Sequence, residues 1–403
     1  MGPMMSFHAG SKQVIQGIPQ EIVQKLQDRG ASPGHVRDTT GFCSTVTPFD
    51  PETLKQVLFE MCAEEQIELF LHTVVTDVVL DAKRVKGIVG SFKTSKLLIM
   101  AERVIDCTGD GDIAALAGAP FVIGRETDNL TQPMTLMFRM GGCNLERVLD
   151  YMRAHPEDFR IAPDVDLNAL TVEQIHSVNG FYSLVRKAKD AGDLNFPCDR
   201  VLFFPGTHRD EVTVNMTRVL RLASTEDEEM TRAEISGRGQ VFQVAAFLQN
   251  YIPGFEKSWV IDTGMYIGVR ESRHILGKHV LSLDDLLSAR KFRSAIACGG
   301  YPVDIHNPEG EGVVERHLPT GEYYTIPYES LLPQNLDHLL VAGRCISATH
   351  EAAGAIRLSP IAMAIGQAAG VAAALSLKRG VSPHELEADV VRQQLRGQGA
   401  FIS

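Results

Sequence analysis

Apolar residues along this chain switch between helical and strand spacing, and the switches mark out its elements. Residues 20–28, closed by Gly30, predict a first helix. Behind Asp50-Pro51-Glu52, the residues Leu54, Val57, Leu58 and Met61 recur at three- and four-residue intervals. A capping acid, a proline in the first turn and an early glutamate complete the signature of a second helix. The apolar run 67–71 predicts a short strand, and 74–80, 84–89 and 96–100 predict a three-stranded meander. Val104-Ile105-Asp106 begins one more strand, which runs into a glycine turn.

From about residue 134 the pattern changes. A strand over 135–140 precedes helices near 145–154 and 180–190, strands at 200–205 and 211–217, and a long helical stretch over 226–250. Proline and glycine punctuate 299–333, which predicts an irregular return linker. Strand spacing resumes at Leu339-Leu340-Val341, ahead of an alanine-rich helix over 361–377. This order predicts an α/β fold, a parallel sheet with an antiparallel excursion, interrupted by an inserted domain of ordinary size. The apolar helix is at the short limit for crossing a bilayer, and its small residues suit close packing on a sheet instead.

Composition narrows the partners. The 403 residues are 44% hydrophobic and 22% charged, with a net charge of −11. Such a surface argues against nucleic acid or an anionic membrane, both of which reward basic residues. The first residues carry neither a charged n-region nor an apolar h-region, so a cytoplasmic location is expected. Cysteines at 43, 62, 107, 143, 198, 298 and 345 form no CxxC pair, and reduced, buried thiols are the expectation.

Three segments carry candidate chemistry. In VIDCTGDGDIA (104–114) a strand meets a helix through Gly109, Asp110, Gly111 and Asp112. Glycines at such a turn let a ligand approach the backbone, and the helix start offers free N–H groups. Alone, the segment reads as a plain turn or a cofactor contact, and less readily as part of a calcium loop, because the oxygen ligands of a calcium hand do not follow. In residues 338–374 a strand ends at Gly343, a polar loop holds Ser347, His350, Glu351 and Arg357, and Pro360 begins a helix of small residues. In GVRESRHILG (268–277), Arg270, Glu271, Arg273 and His274 crowd five positions, which reads as a solvated helix turn or as an active-site segment.

Together the first two segments, in this order and spacing, resemble FAD-dependent oxidoreductases related to the flavoprotein subunits of fumarate reductase and succinate dehydrogenase. GIPQEI (17–22), TPFDPETLK (47–55), QPMTLMFRMGG (132–142) and GGYPVDIH (299–306) extend the resemblance over nearly the whole chain. It implies FAD as cofactor, with Gly109, Asp110, Gly111, Asp112, Gly343, Arg344, Ser347, Pro360 and Gly366 facing it. It implies a discontinuous FAD/NAD(P)-binding Rossmann-like domain over 1–140 and 331–403, and an α+β substrate or cap domain over 141–330. The implied reaction is hydride transfer between flavin and a small polar or anionic molecule. Arg270 and Arg357 would orient that molecule, and Glu271 or His350 would move the proton, with His306 a weaker candidate. A metal-dependent reading built on Asp110, Asp112, His306 and His350 lacks the short ligand spacings such sites use, so no metal is expected.

One part of the family pattern is missing. Residues 1–60 hold no GxGxxG turn behind an apolar strand, the element that meets the pyrophosphate in this type of domain. The resemblance therefore implies an N-terminally incomplete dinucleotide domain. Either the chain is a fragment or truncated remnant that binds no FAD by itself, or a separate chain supplies the missing unit. A second copy of the chain, in a homo-oligomer, is the alternative partner.

Overall fold

The computed structural model describes residues 2–403. It has two hydrophobic cores. The first joins residues 4–119 to residues 275–395, and the second gathers residues 134–267.

In the first unit the helices Ile18–Gln27 and Pro51–Glu64 pack against each other. Asp50 caps the second as its sequence requires: its Oδ1 accepts the Thr53 backbone N–H at 2.7 Å. Asp50→Ala leaves that amide unpaired and is expected to cost about 1 kcal/mol, read as a lower urea midpoint. The meander follows as Val74–Asp81, Arg84–Ser91 and Lys96–Met100, all antiparallel. Residues 67–71, expected as a strand, are irregular and exposed. Among the described residues no strand pairs with them, and an apolar run without a ladder partner does not form a strand.

Val104–Asp106 lies parallel to Leu339–Val341, with Ile105 opposite Leu340. These two strands are the parallel element of the α/β fold. The helix Ser359–Arg379 packs on both. It is long and apolar enough to cross a membrane by length and composition. Here Ile361, Ile365, Ala368, Ala369 and Ala372 are buried in the first core, where small side chains let helix and strands approach closely.

The expected return linker is instead ordered structure. Ala295–Gly299 pairs with Tyr324–Pro327, and Val303–His306 pairs with Val313–Arg316. Tyr301, Val303, Tyr324 and Ile326 are buried in the first core. A Cβ at Gly299 would lie 2.5 Å from the Tyr324 ring, so this glycine marks close approach within a sheet rather than a break. The second unit accordingly ends near residue 270 and not at 330. Its five-stranded antiparallel sheet carries Phe138–Gly141 between Val212–Val214 and Trp259–Thr263, and the helix Asp227–Tyr251 supplies Val241, Val244 and Phe247 to its core.

Candidate active site

The parallel pairing brings the two glycine turns side by side, because both strands end at the same edge. Asp106 is fully buried and shapes the first turn: it accepts from Thr108 N–H at 3.0 Å, Thr108 Oγ1 at 2.7 Å and Ala114 N–H at 2.9 Å. Gly109 has φ +84°, and a Cβ there would lie 2.5 Å from Arg344 Nη2. Arg344 donates to Asp110 Oδ1 at 3.1 Å, Ser272 Oγ donates to the same oxygen at 2.6 Å, and Arg273 donates to Asp112 at 2.8 Å. Both aspartates expected to face a cofactor thus have their carboxylates engaged by arginines.

The second turn is more open. At Gly343, with φ +89°, and at Gly366 an added Cβ would meet nothing within 4 Å. Pro360 sits in the first turn of the long helix. Ser347 is fully buried, its Cβ packed where a Gly277 side chain would stand, and its Oγ lacks a partner. Gly111, at φ +67°, is packed against Ile275.

The segment expected as a helix turn or an active-site stretch contains the strand Arg273–Ile275, paired with Phe121–Ile123. Its Glu271 is buried between two imidazoles. Oε1 accepts from His350 Nδ1 at 2.8 Å and from His274 Nε2 at 2.9 Å, and Oε2 accepts the Gln132 N–H at 2.8 Å. Burial pushes this carboxyl up, but the bonds from His274 and His350 outweigh it and hold it at about 2 instead of 4.5. A depressed carboxyl contributes stability that is complete above its unfolded value and lost as pH falls through the folded one. Acidification from pH 5 toward pH 2 is therefore expected to remove on the order of 3 kcal/mol from the wild type. In Glu271→Gln, which cannot titrate, that share of the loss disappears; urea titrations of both proteins at neutral pH and near pH 3 measure it.

Arg270, the neighbour of Glu271, points elsewhere. With Arg218, Tyr301, Asp304 and His306 it lines a cavity of about 130 Å³ between the two units. One guanidinium nitrogen of Arg270 donates to the Pro133 carbonyl at 2.5 Å and to Thr135 Oγ1. No ion pair among the described residues includes it. Burial, and then the nearby Arg357, lowers its pKa from 12.5 to about 9. Asp304 is shared: its Oδ2 accepts from Tyr301 OH and Arg357 Nη2, each at 3.2 Å, and lies 3.5 Å from His306 Nε2. Burial opposes ionisation of Asp304, yet His306, Arg357 and Arg270 together keep it below the usual carboxylate range. Burial, reinforced by Arg270, brings His306 down to about 3, so its imidazole is neutral at pH 7.

Of the four side chains expected to be catalytic, only Arg270 lines the cavity. Arg357 stands behind Asp304, while Glu271 and His350 form the buried cluster beside it. Asp304, Tyr301 and Arg218 were not anticipated. The first had a signal: Asp304 and His306 alternate in a strand and so share one face. Arg218 had none, since only the tertiary fold carries it to the cavity.

A sequence profile described as FAD dependent oxidoreductase matches residues 1–395. No curated protein matches the chain in sequence. Solved structures that overlap it include a triple mutant of a flavin-dependent brominase, at 10% identity over 98% of this chain and 74% of that one, with a TM-score of 0.42. A geranylgeranyl bacteriochlorophyll reductase-like protein from Thermoplasma acidophilum overlaps at 12% identity over 98% and 76%, with a TM-score of 0.44. A myxobacterial chondrochloren halogenase overlaps at 9% identity over 95% and 69%, with a TM-score of 0.41.

Proposed function

Because the chain belongs to the FAD dependent oxidoreductase family and its cofactor is FAD, we propose that it exchanges a hydride with a small polar or anionic organic substrate seated between its two units. The observation that carries this reading is Arg270, a buried guanidinium without an ion-pair partner among the described residues, on the wall of the cavity. Leaving such a group uncompensated is costly, and a bound anion relieves the cost.

Gly343 and Gly366, where a side chain would find open space, and the helix start at Pro360 are the residues that would hold the flavin. Bound flavin supplies the two-electron chemistry; the protein supplies orientation and charge. Arg270 fixes the substrate. His306, neutral and on the cavity wall, faces Asp304 through Nε2, a contact that holds the ring, and takes or returns the substrate proton at Nδ1. Arg357 fixes Asp304 in turn. Glu271 and His350 are positioning residues in this scheme: Glu271 ties the segment that carries Arg270 to the helix His350–Ile356.

The test is anaerobic mixing of FAD-loaded protein with small organic acids and alcohols, following the flavin's visible band. His306→Gln is expected to slow substrate-driven bleaching by about 10²–10⁴-fold while substrate affinity changes little. An unchanged rate in that variant would remove His306 from the mechanism.

A further inference from the structure

We propose that the cavity selects an organic carboxylate with an apolar body, its carboxylate received by Arg270 and Arg218. The inference rests on the substrate reading of the cavity given above and narrows it. On the cavity wall, Arg218 Nε is a buried donor without an acceptor among the described residues. Arg218 is buried, gives only its Nη2 to the carbonyls of Gly312 and Asn307, and makes no ion pair among the described residues. Surplus donors with no acceptor are the signature of a site whose acceptor is the ligand.

The acids on the same wall are already spent. Asp199 pairs with Arg200, and Glu315 pairs with Arg160. Asp38 accepts from Ser177 and Thr40 and from the N–H groups of Phe42 and Cys43. The Arg200 and Arg160 charges are thereby neutralised, which leaves Arg218 and Arg270 as the arginines of this wall without an ion pair among the described residues. Away from the arginines the lining turns apolar, with Met5, Phe42, Leu202 and Phe204. The volume, about 130 Å³, is slightly below the ~150 Å³ of an engineered apolar cavity that admits benzene.

The experiment is calorimetric titration of the full chain, with and without FAD, using benzoate, benzamide and succinate as probes. Benzoate is expected to bind at least about tenfold more tightly than either benzamide, which lacks the charge, or succinate, which lacks the ring. Arg218→Met and Arg270→Met are each expected to erase the preference for benzoate over benzamide. Circular dichroism confirms that each variant is folded, and Arg270→Lys, retaining the charge, keeps part of the preference. Equal binding of benzoate and benzamide, tighter binding of succinate, no binding of benzoate, or a preference that survives in both folded methionine variants overturns the proposal. Benzoate bound with this selectivity but leaving the flavin spectrum unperturbed supports the carboxylate site and overturns its placement beside the flavin, so the two readings fail separately.

Discussion

Replacing Glu271 by leucine is expected to cost the fold about 3–5 kcal/mol, because it strips a buried hydrogen-bonded network of its only acceptor. Three donors converge on that carboxylate: His350, His274 and the Gln132 amide. Leucine has similar bulk but accepts nothing, so all three lose their partner in a place water does not reach. Glu271→Gln keeps one oxygen and the shape, and its cost is expected to be about 1–3 kcal/mol. The pair of variants separates lost hydrogen bonding from lost packing, and denaturant titration at neutral pH measures both. A leucine variant as stable as the wild type would mean that the cluster does not bind the segment around Arg270 to the helix behind it.

Arg270→Met should produce the opposite profile. With any acid that reduces the wild-type flavin, kcat/KM is expected to fall about 10²–10³-fold, the loss typical when one member of a buried charge pair is removed. Folding stability, however, is not expected to fall. The guanidinium gives hydrogen bonds to Pro133 and Thr135 but makes no ion pair among the described residues, so the free protein carries a buried charge that Asp304 balances only in part and that methionine removes. Lower activity at unchanged or higher stability is the mark of a residue kept for its ligand. A loss of both together would assign Arg270 to the scaffold instead.

What could be read from the sequence follows the range of the forces involved. The helix at Pro51–Glu64 was legible in full, cap included, since its signals lie within one turn of chain. The glycine turns were legible because left-handed backbone at Gly109 and Gly343 admits few other residues. The run 67–71 misled because local apolar pattern says nothing about whether a neighbouring strand exists. Residues 299–333 misled for a related reason: a glycine that permits close contact and one that ends an element look alike without the partner, here Tyr324. For the candidate site, the resemblance drew attention to Arg270 and Glu271 together, yet adjacent residues on an extended segment face opposite ways. One reaches the cavity and the other the buried cluster. Arg218 lay beyond any local reading.

The parallel pairing of Val104–Asp106 with Leu339–Val341 also sets an order of events during synthesis. Its two strands stand on either side of the whole second unit, so this ladder cannot close until nearly the entire chain has left the ribosome. The second core draws only on residues 134–267 and needs nothing from the C-terminal segment. It is expected to become protease-resistant first on stalled nascent chains, while Val104–Asp106 and the apolar surface around it wait exposed for their distant partner. During that interval the nascent protein is most vulnerable to aggregation, and a chaperone that shields the early strands would raise its yield more than one acting on the finished molecule.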